Sequence, residues 1–199
     1  MSDHIIRLGI DKLAKEVGYS DPTYLVTRPM GEKFLPEVVR ILTDIPETSV
    51  LLLDFSSVRV MDSSFSDELF GHLAARRARR SFTGGCLVLE KLNESSLEDL
   101  GMALLSRPFR DPGTRNCVIP VLTHKDTISL IGKFESHVQE TFELVQKYKR
   151  LTAREIADGL NLDIAAASTR LKVLYNLGLA TRTDTKDAYG KQYVYESLI

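Results

Sequence analysis

The chain has 199 residues, with 26 Lys and Arg against 27 Asp and Glu and 43% hydrophobic residues, a size and composition that suit one large or two small globular units. No apolar run approaches the ~20 residues needed to span a bilayer, and the N-terminal SDHIIRLGIDKLAKEVG scatters charges in a way a secretory signal does not, so a cytoplasmic location and no membrane partner are expected. The near-zero net charge conceals a split: from Lys147 onward nine basic residues face six acidic ones, while the part before it is acidic overall, so a nucleic-acid surface is expected in the C-terminal part if anywhere.

In chain order, residues 4–17 read as a strand followed by a helix, 24–27 as a strand and 34–45 as a helix. The run VLLLDF at 50–55 is too short for a buried helix and is bounded by turn residues, so it reads as a central strand covered on both faces. A helix over 63–80 follows, with Phe65, Leu69, Phe70, Leu73 and Ala74 at helical spacing. Next come a strand at 86–90, a helix at 95–105 and a strand at 118–122. Alternation of this kind is the signature of a sheet flanked by helices, an α/β fold. The segment 106–116 carries three arginines among Pro and Gly and reads as a mobile surface loop. Arg76, Arg77, Arg79 and Arg80 close the 63–80 helix, where cations offset the negative end of the helix dipole. A solvated helix end and a polyanion surface both fit that cluster.

Asp62, Ser63 and Ser64 stand at the start of the 63–80 helix. Ser64 with Asp67 resembles a capping box with Asp in place of the usual Glu or Gln. Free N–H groups and the helix dipole also favour an anion there, including a phosphate on a serine, so a simple cap and a regulated serine remain alternatives.

The stretch VLLLDFSSVRVMDSSFSDEL, residues 50–69, resembles the strand–loop–helix of the sulfate-transporter and anti-sigma-factor-antagonist (STAS) superfamily. Antagonist members carry an Asp-Ser-Ser-Gly motif phosphorylated on its first serine, so the resemblance implies Ser63 as phosphoacceptor and Asp62, Ser64, Asp67 and Glu68 as partner-binding residues. Phe65 stands where those proteins have Gly. The run Ser64-Phe65-Ser66-Asp67-Glu68-Leu69, with Leu25-Val26-Thr27-Arg28 and Gly31 upstream, is closer to a STAS-like branch often encoded beside histidine-kinase-type ATPases. The resemblance is strongest over 24–123 and implies such an ATPase, or another protein, as partner.

Beyond a strand at 128–134 and a helix at 136–149, Thr152 and Glu155 form a capping box for a helix ending near Leu160. A turn at Asn161 leads to a helix from Asp163 that carries Ile164, Ala167, Leu171, Leu174 and Leu177 on one face and stops at Gly178. Strands at 179–183 and 192–196 are joined by a polar hairpin over 184–191. This C-terminal stretch is similar to winged helix-turn-helix repressors, particularly in Ser168-Thr169-Arg170-Leu171-Lys172-Val173-Leu174 followed by Gly178-Leu179. The similarity implies that double-stranded DNA is the ligand. Ser168, Thr169, Arg170 and Lys172 would project from the second helix, with Arg170 suited to guanine, and Arg182, Lys186 and Lys191 would hold phosphates from the wing.

The expected organisation is therefore a STAS-like α/β unit over 1–134 and a winged helix-turn-helix unit over 135–199. The expected function is a DNA-binding transcriptional regulator with an N-terminal sensing or protein-interaction unit. The alternative is a partner-switching protein that binds a kinase-type ATPase and uses the winged helix for protein contacts. A homodimer through the 136–149 helix is expected by analogy with regulators that read two-fold sites. Cys86 and Cys117 read as buried free thiols, and His4, His72, His124 and His137 lack paired ligand spacing. Nothing pairs a nucleophile with a base or forms a Gly-rich phosphate loop, so neither an enzyme nor a cofactor is expected.

Overall fold

A computed structural model of the protein describes residues 4–111, 114–187 and 190–199, with the backbone alone at 186, 187, 190 and 191. Its central sheet has five strands in the order β1 (Ile5–Gly9), β3 (Val50–Asp54), β5 (Cys86–Glu90), β6 (Cys117–Leu122) and β7 (Ile128–Lys133). The first four run parallel, each beside its predecessor, and β7 returns antiparallel to β6. Two short strands, β2 (Tyr24–Leu25) and β4 (Val60–Met61), pair with each other outside it. The fold is thus mixed α/β with a mostly parallel sheet flanked by helices.

Because successive parallel strands are added in one direction and their crossovers are right-handed, the connecting helices fall on one face of the sheet. These are α2 (Arg28–Asp44), the helix built from α3 (Ser63–Ser66), a π turn (Asp67–Gly71) and α4 (His72–Ala78), and α5 (Glu94–Arg110). Leu51, Leu53, Leu87, Leu89, Ile119 and Val121 point into this layer, where Phe34, Phe65 and Phe70 complete the core with α1 (Ile10–Glu16). The alternate strand residues Val50, Leu52, Cys86 and Val88 face the other way and are equally buried. Their cover comes from the C-terminal part of the chain. Leu198 packs on them, the Cys86 thiol lies 3.8 Å from the Ala180 carbonyl, and Val118 joins the cluster of Val138, Phe142, Leu171 and Leu174. An apolar run in both residue parities is what two covered faces demand.

The C-terminal part comprises α6 (Ser136–Tyr148), β8 (Arg150–Thr152), α7 (Ala153–Leu160), α8 (Ile164–Leu177), β9 (Thr181–Asp187) and β10 (Gly190–Glu196). Its strands form an antiparallel sheet in the order β8-β10-β9. The expected capping box is present: Glu155 accepts from the Thr152 N–H at 2.7 Å while the Thr152 hydroxyl accepts from the Glu155 N–H at 3.4 Å. Asn161 turns the chain in the left-handed region at φ 52°, Asp163 caps α8 by accepting from Ala166 N at 2.8 Å, and Gly178 ends it at φ 72°.

Several boundaries differ from expectation for identifiable reasons. Helix α2 begins at Arg28 rather than near residue 34, because Pro29 sits in the first turn, where a missing N–H costs nothing. Helix α5 runs through Pro108 to Arg110, so much of the expected loop over 106–116 is helix. The β9–β10 strands extend through most of the expected polar hairpin. Arg77, expected in a solvated helix end, is buried: it donates to the Gly84 carbonyl at 3.4 Å and to that of Gly85, and its guanidinium stacks 4.3 Å from the Phe82 ring.

Candidate functional site

At the start of the α3–α4 helix the cap is Asp62. Its carboxylate accepts from Phe65 N at 2.7 Å and from Thr27 N at 3.3 Å, so it closes the helix and ties it to the segment entering α2. Ser63 is exposed and Ser64 half-buried, while Phe65 is fully buried among core aromatics, its ring 5.2 Å edge-on from Phe34. Asp67 takes no part in a capping box. It is 1% exposed and accepts from Arg28 at 2.9 Å, from Arg110 at 2.7 and 2.8 Å and from Arg107 at 3.4 Å.

Glu68 extends this network, 3.3 Å from Arg28 and 3.2 Å from His72, and Arg107 reaches the His72 ring at 2.8 Å. Burial by itself would raise the Asp67 carboxyl; the arginines outweigh it and hold the group below its ordinary 3.8. Burial, reinforced by Arg107, pushes His72 below 6.5. Gly71, at the end of the π turn, makes room for the cluster: a Cβ there would lie 2.9 Å from the Asp67 carboxylate. The structure thus brings Asp67 and Glu68 together as acceptors for the protein's own cations, whereas Ser63 alone of this group is openly exposed.

On α8, Ala165, Ser168, Thr169 and Lys172 are exposed, together with Ile164 at 53%. The Thr169 hydroxyl donates back to the Ala165 carbonyl at 2.9 Å, a bond a polar ligand can replace by rotating the side chain. Arg170 is turned away from this face and pairs with Glu140 of α6 at 2.9 Å. Arg182 is also engaged, its guanidinium between the rings of Tyr175 and Tyr193 at 4.1 and 4.4 Å. Lys186 and Lys191 face each other across the β9–β10 ladder, but their side chains lie outside the described residues.

Beside the exposed face of α8 is a concavity of about 210 Å³ lined by Arg154, Ile164, Ser168, Gln192 and Tyr193. Arg154 and Lys172 form no ion pair among the described residues. Of the seven residues expected to contact DNA, the structure therefore places Ser168, Thr169 and Lys172 on one open face and gives Arg170 and Arg182 internal partners. Arg154, Gln192 and Tyr193 were not anticipated. The position of Arg154 in the first turn of α7, beside the capping box, was the one sequence signal available for them.

Among the described residues no helix is long and apolar enough to cross a membrane. Comparison of the sequence with protein-family models and with curated proteins finds no match.

Proposed function

We propose that the protein is a DNA-binding regulator in which α7, α8 and the β9–β10 hairpin act as a winged helix-turn-helix reader and the α/β unit receives the signal. The observation that carries this reading is the way α8 is divided. Its C-terminal half lies against the rest of the molecule, with the Tyr175 hydroxyl bonded to Glu47 and Gly178 beside Arg77. Its first turns remain open, carrying Ser168, Thr169 and Lys172 beside Arg154, Gln192 and Tyr193. Small residues at the start of such a helix allow close approach to a groove, hydroxyls bond phosphates or base edges, and Arg154 and Lys172, unpaired among the described residues, neutralise phosphates.

The test is fluorescence-anisotropy titration of mixed duplexes across a salt series, comparing the wild type with Arg154→Ala/Lys172→Ala. Each phosphate contact contributes about 0.9 to the slope of log affinity against log salt, so the double variant is expected to bind more weakly with a slope shallower by about 1.8. Absence of wild-type binding at low salt would remove the reading.

The second reading, a partner-switching protein docking a histidine-kinase-type ATPase, is favoured by the exposure of Ser63 beside the Asp62 carboxylate. A phosphate there would add like charge next to Asp62 and repel an acidic partner. Ser63→Asp and Ser63→Ala should then change partner binding in opposite directions, and identical behaviour of the two variants would exclude the switch.

A further inference from the structure

The sequence contains two arginine-rich segments, 76–80 and 106–116, and the fold assigns most of their cations. Arg77 is buried on backbone carbonyls, Arg79 pairs with Asp111, and Arg107 and Arg110 hold Asp67. Exposed Arg76, Arg80 and Arg115 have no ion pair or side-chain hydrogen bond among the described residues, and two of these, Arg80 and Arg115, come from different segments. Although they lie 35 positions apart in sequence, both line a single cleft of about 210 Å³ whose other wall is Val173 and Asn176 of α8.

The α8 wall is continuous with the open face described above. Ala165, Thr169, Lys172 and Asn176 follow one another at spacings of four, three and four residues, which places them along one side of a helix. The cleft therefore continues the Lys172 face onto the α/β unit. Asn176 lines the cleft, with a side-chain nitrogen that is shielded from solvent and has no acceptor among the described residues. Two guanidiniums and the side-chain amides of Asn116 and Asn176 line the cleft, with no carboxylate among the described residues.

Resting on the DNA-binding reading, we propose that Arg80 and Arg115 form a clamp for backbone phosphate of the duplex bound by α8, so that the α/β unit contributes directly to the nucleic-acid interface. Any change that shifts the α/β unit against α8 then alters DNA affinity through this clamp. Binding at the α8 face and binding at the clamp are separable, because Lys172 stands one helical turn before Asn176.

The experiment compares the wild type, Arg80→Gln/Arg115→Gln, Arg80→Lys/Arg115→Lys, Arg76→Gln and Lys172→Ala in the same anisotropy salt series with mixed duplexes. Arg76 is the control, an exposed cation of the same segment that does not line the cleft. The glutamine pair is expected to reduce the salt slope by about 1.8 and the lysine pair to retain it, with Arg76→Gln close to wild type. Wild-type slope and affinity in the glutamine pair, with weakened binding in Lys172→Ala, would overturn the clamp and leave the reader intact. An equal loss in Arg76→Gln would also overturn it, by showing a diffuse charge effect. Stabilisation of the wild type by inorganic phosphate alone, with undiminished duplex binding by the glutamine pair, would reassign the cleft to a free anion. No duplex binding by the wild type would overturn both the reader and the clamp.

Discussion

Arg110 grips Asp67 with both terminal nitrogens, at 2.7 and 2.8 Å, across 43 residues of sequence. This fork fastens the last turn of α5 to the π turn of the neighbouring helix, and it explains how α5 continues past Pro108. A proline in a helix forfeits one backbone bond, and here Arg107 and Arg110, on either side of it, anchor the turn to a buried carboxylate.

Asp67→Asn should destabilise the protein by about 2–3 kcal/mol in urea unfolding, less than for a fully buried pair because Arg28 and Arg110 keep about half their surface in water. The folded-state pKa of Asp67 is depressed, so its contribution is complete above 3.8 and disappears as pH falls through the lower folded value. His72 is also depressed, and its contribution is complete above 6.5 and lost as pH falls through its folded value. Stability should therefore decline on acidification, and Asp67→Asn should shrink the more acidic part of the decline, to which the depressed Asp21, Glu37 and Asp54 also contribute. A variant with an unchanged acid profile would show that the arginine cluster does not govern it.

Two glycines should respond to alanine with opposite signs. Gly132 of β7 has φ 125°, and a Cβ there would lie 2.2 Å from the Cys117 carbonyl oxygen, so Gly132→Ala should cost about 2–3 kcal/mol. Gly101, inside α5, has room: its Cβ would meet Ile131 at an ordinary 3.8 Å. Gly101→Ala should therefore stabilise by about 0.5–1 kcal/mol, since alanine loses less backbone entropy in a helix. Urea midpoints measured side by side decide both.

The two cysteines report on opposite faces of the sheet. Cys86 lies under the C-terminal cover, with its thiol pushed up to about 11 by burial, while Cys117 lies on the α-helical side, pushed up to about 12 for the same reason. Leu198→Ala removes a fully packed contact on the Cys86 face and should cost about 2–3 kcal/mol. Under native conditions the variant should react with a thiol reagent faster at Cys86 and unchanged at Cys117. Equal acceleration at both would mean that the C-terminal cover opens only with the whole fold.

The features that could be read from the sequence are those set within a few residues. Thr152 with Glu155, Asp163 before Ala166 and Gly178 after Leu177 mark helix ends because a cap is an interaction between near neighbours. The apolar run in β3 announced a strand covered on both faces. Which segment supplies the second cover was not readable, since nothing local links Val50 or Cys86 to Leu198.

The same distinction governs the charged residues. An arginine cluster is visible in sequence, but the fate of each guanidinium depends on what lies across the fold. Arg77 meets carbonyls just before β5, Arg170 meets Glu140, and Arg107 and Arg110 meet Asp67. The sequence by itself determined most of the order of helices and strands and the caps of α7 and α8, because propensity, capping and periodicity act over one or two turns. Only the tertiary structure decided which cations are spent inside the molecule and which remain free. Ion pairing and desolvation depend on approach in space, and residues such as Asp67 and Arg110, or Arg80 and Arg115, meet only when the sheet and its helices bring them together.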